Sequence, residues 1–104
     1  MLTESISYPE SMADVLFTRH ARERMAQRGI SEWAVAMVLS YGTVFCRRGI
    51  QIYCLAKRNL PRHLSPAKRE KLNGITCVVS DADELITVYH YRKGNLKRFR
   101  IMMY

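Results

Sequence analysis

A histidine and two arginines recur at four-residue intervals in the first third of the chain, as His20, Arg24 and Arg28. On a helix, residues four apart drift by only about 40° per step, so these three side chains form one stripe. If Ala21 and Met25 face the core, the stripe borders the buried side, with Arg28 nearest to it. A planar guanidinium at such a boundary suits a phosphate, and pairing with a nearby acid is the alternative.

A second group of residues that could take part in catalysis or binding lies at the end of the most strand-like run of the chain. It is the segment Thr-Val-Tyr-His-Tyr-Arg at positions 87–92. Alternation along a strand sends Tyr89 to one face of the sheet and His90 to the other. A strand tyrosine more often packs than reacts, so a catalytic or base-stacking Tyr89 is the less common use. His63 lies in a polar connection and is expected to be solvated.

Two helices are predicted to position the stripe. Thr18 caps a first helix, and Gly29 ends it in a left-handed conformation. Ser31 caps a second helix, which Gly42 ends in the same way. The first helix spans about residues 19–28, the second runs from its cap Ser31 through Ser40, and the two are predicted to form a hairpin. Apolar residues at helical spacing in the second helix should be buried, namely Trp33, Ala34, Met37, Val38 and Tyr41.

The periodicity then changes to that of strands, which we expect at Thr43–Arg47, Ile50–Lys57, Gly74–Ser80 and Leu85–Tyr91. Between the second and third strands, Ser65 and Pro66 begin a short helix, and residues 95–104 form a final strand or a docking tail. Residues 1–16 are expected to be a flexible lead-in and residues 17–104 a single domain. The predicted fold is α+β, with the N-terminal helical hairpin packed on one face of an antiparallel sheet of about four strands.

The chain is strongly basic, with a net charge of +8 and an isoelectric point of about 9.8. Two basic blocks, over 47–71 and 92–104, flank a stretch whose only charges are acidic, which predicts a one-sided patch for a polyanion, most naturally RNA. Binding through such a patch weakens as salt rises. The residues expected to contact phosphates are Arg47, Arg48, Lys57, Arg58, Arg92, Lys93, Lys97, Arg98 and Arg100.

The cysteines and the hydropathy limit the other classes of function. Cys46, Cys54 and Cys77 form no C-x-x-C pair and are predicted to be buried thiols. The histidines are not spaced to complete a zinc site, so we expect no metal and no cofactor. No stretch reaches the roughly 20 apolar residues that span a bilayer, and the N-terminus lacks a signal-peptide layout. We therefore expect a cytoplasmic protein without a membrane partner.

Three segments together resemble a known family: Phe17-Thr-x-His20-Ala-x-x-Arg24-Met-x-x-Arg28-Gly-Ile-Ser31, a helix ending in Tyr41-Gly42, and Leu85-Ile-Thr-Val-Tyr89. Over residues 17–92 the chain resembles a bacterial family of small uncharacterised domains grouped with the RelE/ParE-like toxins. The resemblance implies a RelE-like helix-helix-sheet fold, a role as the toxin of a toxin-antitoxin pair with an acidic antitoxin as partner, and metal-independent RNA cleavage in the RelE-like members. It leaves open whether the RNA is ribosome-associated. ParE-like relatives act on gyrase instead, so the resemblance alone does not assign an activity.

Metal-independent RNA cleavage needs a base for the 2′-hydroxyl, a cation for the phosphorane and an acid for the leaving 5′-oxygen. His20 would serve as base or acid, while Arg24 and Arg28 hold the phosphate. Tyr89 or His90 would be the second proton carrier. Two other hypotheses stay open: a basic nucleic-acid-binding module without catalysis, and a protein-interaction module whose patch meets an acidic partner.

Overall fold

The computed structural model describes residues 15–90, which form an α+β fold of three α-helices and a five-stranded mixed sheet. The predicted lead-in up to residue 14 and the predicted C-terminal element over 95–104 lie outside the described residues. The elements are β1 (Leu16–Phe17), α1 (Arg19–Arg28), α2 (Glu32–Tyr41), β2 (Thr43–Arg47), β3 (Ile50–Cys54), a 3₁₀ turn (Lys57–Asn59), α3 (Pro66–Leu72), β4 (Ile75–Ser80) and β5 (Glu84–His90).

The sheet has the strand order β1-β5-β4-β3-β2, and four of its strands are the predicted antiparallel ones. The expectation of a purely antiparallel sheet is wrong, because β1 adds a fifth strand that runs parallel to β5. Leu16 N donates to Asp83 O at 2.8 Å and thereby draws the end of the expected lead-in into the sheet. A strand of two residues carries no periodicity, so the sequence gives no sign of it.

Each of the first two helices packs on the sheet by itself, α1 against β5 and α2 against β4 and β3. The predicted hairpin, a pair of helices packed on each other, is therefore not confirmed. Buried residues of both helices and of one face of the sheet form a single core, which includes Ala21, Val35, Cys77 and Val88. The connection between the two helices bends where α1 ends, and this bend lies beside the site described below.

The predicted helix starts are confirmed, because each capping hydroxyl accepts a hydrogen bond from a first-turn amide. Thr18 Oγ1 accepts from Ala21 N at 3.1 Å, Ser31 Oγ accepts from Ala34 N at 3.1 Å, and Ser65 Oγ accepts from Lys68 N at 3.3 Å. The left-handed stop at Gly29 is also confirmed, with φ of 65°.

The prediction that Gly42 ends α2 in the same left-handed way is wrong. Its φ is −71° and its backbone is extended, a conformation open to any residue. Glycine is needed there for space, because a Cβ atom would lie 2.5 Å from Val38 O and 3.1 Å from Cys54 O. The chain passes closely between the end of α2 and the end of β3 at this point.

Two predictions of burial need correction. Tyr41 was predicted to be buried and is 44% exposed. Val35, Ala36 and Leu39 are buried although the predicted stripe did not include them, because the sheet and the rest of the core enclose more than one narrow stripe of α2. Among the cysteines, Cys77 is fully buried, and burial raises the pKa of its thiol to about 12. Cys54 is only half-buried, and Cys46 is exposed because β2 is the last strand of the sheet.

The two glycines should respond differently to the same substitutions. Gly29→Ala should lower the free energy of unfolding by about 1 kcal/mol for conformational reasons alone, since nothing lies within 4 Å of the added Cβ. Gly42→Ala should cost about 2 kcal/mol or more, because the added atom overlaps backbone oxygens. Urea unfolding of both variants measures the difference.

Asparagine separates the two causes. It tolerates the left-handed conformation, so Gly29→Asn should unfold nearer to the parent protein than Gly29→Ala does. Gly42→Asn should lose at least as much stability as Gly42→Ala. An asparagine that rescues neither position, or both, would show that the conformational and steric assignments are wrong.

Candidate functional site

A cleft of about 180 Å³ opens where β5 ends and β4 begins, on the side of the sheet that carries the helices. His90 and Ile75 are directly paired across these two strands, so the sheet itself brings the ends together. The ends of α1 and α3 and the start of α2 complete the walls. We call it the Arg28–His90 cleft, and it is lined by Arg28, Gly29, Ser31, Trp33, Ala34, Lys71, Leu72, Ile75 and His90.

The charged and titratable side chains of the cleft are Arg28, Lys71 and His90, and no carboxylate belongs to its described lining. Arg28 Nη1 donates to Val88 O at 3.4 Å, a long hydrogen bond that leaves most of the guanidinium fork unused. No acid of residues 15–90 forms an ion pair with Arg28 or Lys71. The arrangement favours an anion with several oxygens.

Helix ends contribute to the same field. Arg28 and Lys71 lie in the last turns of α1 and α3, where the helix dipole stabilises a cation. This contribution to stability is a structural reason for their presence, independent of any ligand. Ser31 caps the start of α2 at the cleft, and its Oγ already accepts from the first-turn amide of Ala34. The positive charge of the cleft thus comes from its side chains, because two helices place the negative ends of their dipoles there.

The predicted stripe stays on α1, but only one of its members reaches the cleft. Ala21 and Met25 are buried, as expected of the core-facing side. The ranking of the stripe by burial is wrong, because Arg28 lies on the exposed last turn of the helix and Arg24 is the half-buried member. Exposed His20 lies eight residues before Arg28, which is about 12 Å along the helix axis.

His20 and Arg24 instead contact each other. Arg24 Nε donates to His20 Nε2 at 3.4 Å, and Arg24 Nη1 donates to Gln27 Oε1 at 3.1 Å. Neither His20 nor Arg24 is among the residues that line the cleft, so the structure does not bring the three members of the stripe together there.

Tyr89 and His90 lie on opposite faces of the sheet, and His90 is the one on the helix side. Tyr89 packs with Ile52 and Val78 on the other face. Burial raises the pKa of its phenol, and the neighbouring Cys54 thiol adds to the rise. The phenol therefore stays protonated at neutral pH, on the face away from the cleft.

The predicted phosphate-contacting residues are divided between the two ends of the sheet. Arg47 and Arg48 flank the β2–β3 turn, where the Asp81 carboxylate lies next to Gly49. Lys57 and Arg58 lie in the 3₁₀ turn near the start of β4, and Lys57 Nζ forms an ion pair with Glu70 Oε1 at 2.5 Å. The other five bases lie outside the described residues: Arg92, Lys93, Lys97, Arg98 and Arg100.

Trp33 and Lys71 line the cleft although neither was predicted as a site residue. Trp33 fits the apolar spacing of α2 and was predicted as core, but its ring is only partly buried. Its position, two residues after the Gly29–Ser31 link, is the sequence signal that it borders the same bend as Arg28. Lys71 reaches the cleft through tertiary folding from about 40 residues away, and no local pattern predicts that.

Within residues 15–90, no helix has the length and apolar character that crossing a bilayer requires. The same residues bring together no group of three or more His, Cys, Asp or Glu side chains that would hold a metal ion. His63 is exposed in the connection before α3, away from the cleft lining.

Comparison with known proteins gives one match. The profile of the family described as "Domain of unknown function (DUF4258)" matches residues 17–90. No curated protein and no solved structure matches the chain. The resemblance to a family of small uncharacterised domains is thus confirmed, while the likeness to RelE/ParE-like toxins stays a prediction.

If Arg28 serves a ligand rather than the fold, its loss should be tolerated. Arg28→Ala should lower the free energy of unfolding by about 1 kcal/mol or less, the scale of a helix-end charge. Urea unfolding beside Arg19→Ala, an exposed arginine in the first turn of the same helix, gives the comparison. A loss of about 3 kcal/mol at Arg28 would show that the residue is mainly structural.

Proposed function

We propose, for a chain that belongs to the DUF4258 family of domains of unknown function, a role in binding RNA through the Arg28–His90 cleft. The observation that carries the proposal is the meeting of Arg28, Lys71 and His90 in one cleft whose described lining holds no carboxylate. A cleft of this charge suits a backbone phosphate better than an apolar or cationic ligand.

The parts of the cleft have distinct tasks in such a complex. The guanidinium of Arg28 offers two parallel N–H groups to two phosphate oxygens, and the hydrogen bond to Val88 O fixes its direction. Lys71 supplies a point charge from the last turn of α3.

An acidic protein is the main competitor of RNA for this surface. A positive cleft attracts carboxylates as well as phosphates, so an antitoxin-like partner would satisfy the same charges. The predicted resemblance to RelE/ParE-like toxins is compatible with either ligand, since it implies RNA as the substrate of the RelE-like members and an antitoxin as partner. RNA affinity of the isolated protein is the property that an interaction module alone would lack.

RNA cleavage is the second candidate function, and it is favoured by the position of His90 beside Arg28 and Lys71. In this mechanism His90 removes the proton of the 2′-hydroxyl, whose oxygen then attacks the adjacent phosphorus. Arg28 and Lys71 stabilise the extra negative charge on the phosphorane, and the bond to the 5′-oxygen breaks as that oxygen takes a proton from a water molecule. His20, the other predicted proton carrier on the stripe, is not among the cleft-lining residues, so binding is the function that the cleft supports better.

The first test is RNA binding by single-arginine variants. Arg28→Lys should weaken binding of a single-stranded RNA about tenfold, because a point charge cannot reproduce the two-pronged contact. Arg19→Lys, which changes an exposed arginine paired with Glu23 on the same helix, is the control and should stay within about twofold. Fluorescence anisotropy with a labelled oligonucleotide measures both.

Measurements of affinity at different salt concentrations and with an acidic peptide show which results would contradict the proposal. Affinity for RNA should fall between about 50 and 200 mM salt, since phosphate contacts release counterions. Equal affinities of Arg28→Lys and Arg19→Lys would remove the cleft from the interface. An acidic peptide that binds while RNA does not, at either salt concentration, would replace the proposal with the protein-interaction module.

The second test is cleavage of RNA in the presence of a chelator. If the domain is a ribonuclease, His90→Ala should lower the rate about 100-fold or more, the scale of a lost general base. His20→Ala should have a smaller effect, and His63→Ala should have none. The readout is gel analysis of total RNA, with growth arrest on induced expression as the cellular counterpart. Binding without cleavage by the parent protein would leave the non-catalytic module.

A further inference from the structure

Trp33 lies between the hydrophobic core and the Arg28–His90 cleft. It is the second residue of α2, and part of its side chain packs against the hydrophobic core. The remainder lines the Arg28–His90 cleft, beside Arg28, Lys71 and His90. The ring is therefore held in place by the core while part of it stays accessible from the cleft.

A core role alone does not account for these surroundings. The α2 residues that serve only the core are enclosed, as Val35 and Val38 are. A cation lies over the Trp33 ring instead, with Lys68 Nζ 5.7 Å from the ring centroid, so a base that stacks on this face takes the place of Lys68. Lys68 is exposed, so it can leave the ring or turn toward an incoming anion. An indole that lines the same cleft as Arg28 and Lys71 combines a stacking surface with phosphate-binding charges.

The size of the cleft restricts what can fill it. At about 180 Å³ it is smaller than the roughly 300–1,000 Å³ of pockets that enclose a drug-sized molecule. It suits one flat group and one anion of a longer ligand whose remainder lies outside. A nucleotide within a strand has these two parts.

We infer that the cleft binds one unpaired nucleotide of RNA, whose base stacks on the Trp33 ring while its phosphate meets Arg28 and Lys71. The inference rests on the proposed function and deepens it, because it makes the ligand single-stranded. A base inside a duplex is stacked on its neighbours and hides its face, whereas an unpaired base can lie on an aromatic ring. Every base offers such a face, so recognition of this kind tolerates sequence variation.

Trp33 is the single tryptophan of the chain, so its emission reports on this cleft without a label. Three ligands give the test: a single-stranded RNA, the same strand with abasic sites throughout, which matches it in length and charge, and the RNA paired in a duplex of the same length. The single strand should quench Trp33 emission and bind about 5- to 150-fold more tightly than the abasic strand, the range for one stacked base. The duplex should leave the emission unchanged.

Variants give a second readout, by anisotropy of the labelled single strand. Trp33→Leu should lose most of the advantage over the abasic strand, and Trp33→Phe should keep part of it because an aromatic face remains. Tyr41→Leu removes an exposed aromatic side chain from the same helix outside the cleft lining and should bind as the parent does. The comparison of ligands on the parent protein holds even if a Trp33 variant fails to fold.

The outcomes separate this inference from the proposed function. Equal, salt-sensitive binding of the RNA and the abasic strand, with unchanged emission, would overturn stacking while phosphate binding stands. Quenching by the duplex as strongly as by the single strand would also overturn it. Absence of binding to every RNA would remove the proposed function and the stacking inference together.

Discussion

The position of the cleft depends on Thr18, whose hydrogen bonds hold the start of α1 against β5. Its hydroxyl accepts the hydrogen bond of Ala21 N and donates one to Leu85 O at 2.7 Å, while its backbone N–H also donates to Leu85 O at 3.3 Å. One residue thus caps the helix and fixes it to the strand. From this anchor α1 packs along β5 until Arg28 reaches Val88 O, two residues before His90.

A β-bulge then decides which side chain of β5 faces the helices. The register between β4 and β5 shifts at Val78/Val79, so that Leu85 and Val88 both face the helix-side core. Strict alternation from buried Leu85 would have put Tyr89 on that side. The extra residue, Ile86, reverses the order and puts His90 there instead. Bulges re-aim side chains in this way next to functional sites.

These two features mark how far the sequence alone can predict the molecule. Caps and turns are local chemistry, so the starts of all three helices, the stop at Gly29 and the four antiparallel strands could be placed from residue types. That Tyr89 and His90 lie on opposite faces of the sheet could also be predicted from the sequence. The bulge that decides which of the two faces the helices could not, because it depends on pairing between strands. Lys71 and Trp33 join the site only through tertiary packing, which periodicity does not describe.

The net charge of +8 overstates the surface that remains available to a polyanion, because several bases are already engaged. Arg69 donates to the carbonyl oxygens of Leu64, Lys57 and Pro61 and so holds the connection before α3 in place. The described ion pairs engage three further bases, namely Arg19, Arg22 and Lys57. What distinguishes Arg28 and Lys71 is therefore their position. Each lies in the last turn of a helix and lines the cleft together with His90, and the described lining offers no acid to neutralise them, so their charge stays available to an anion.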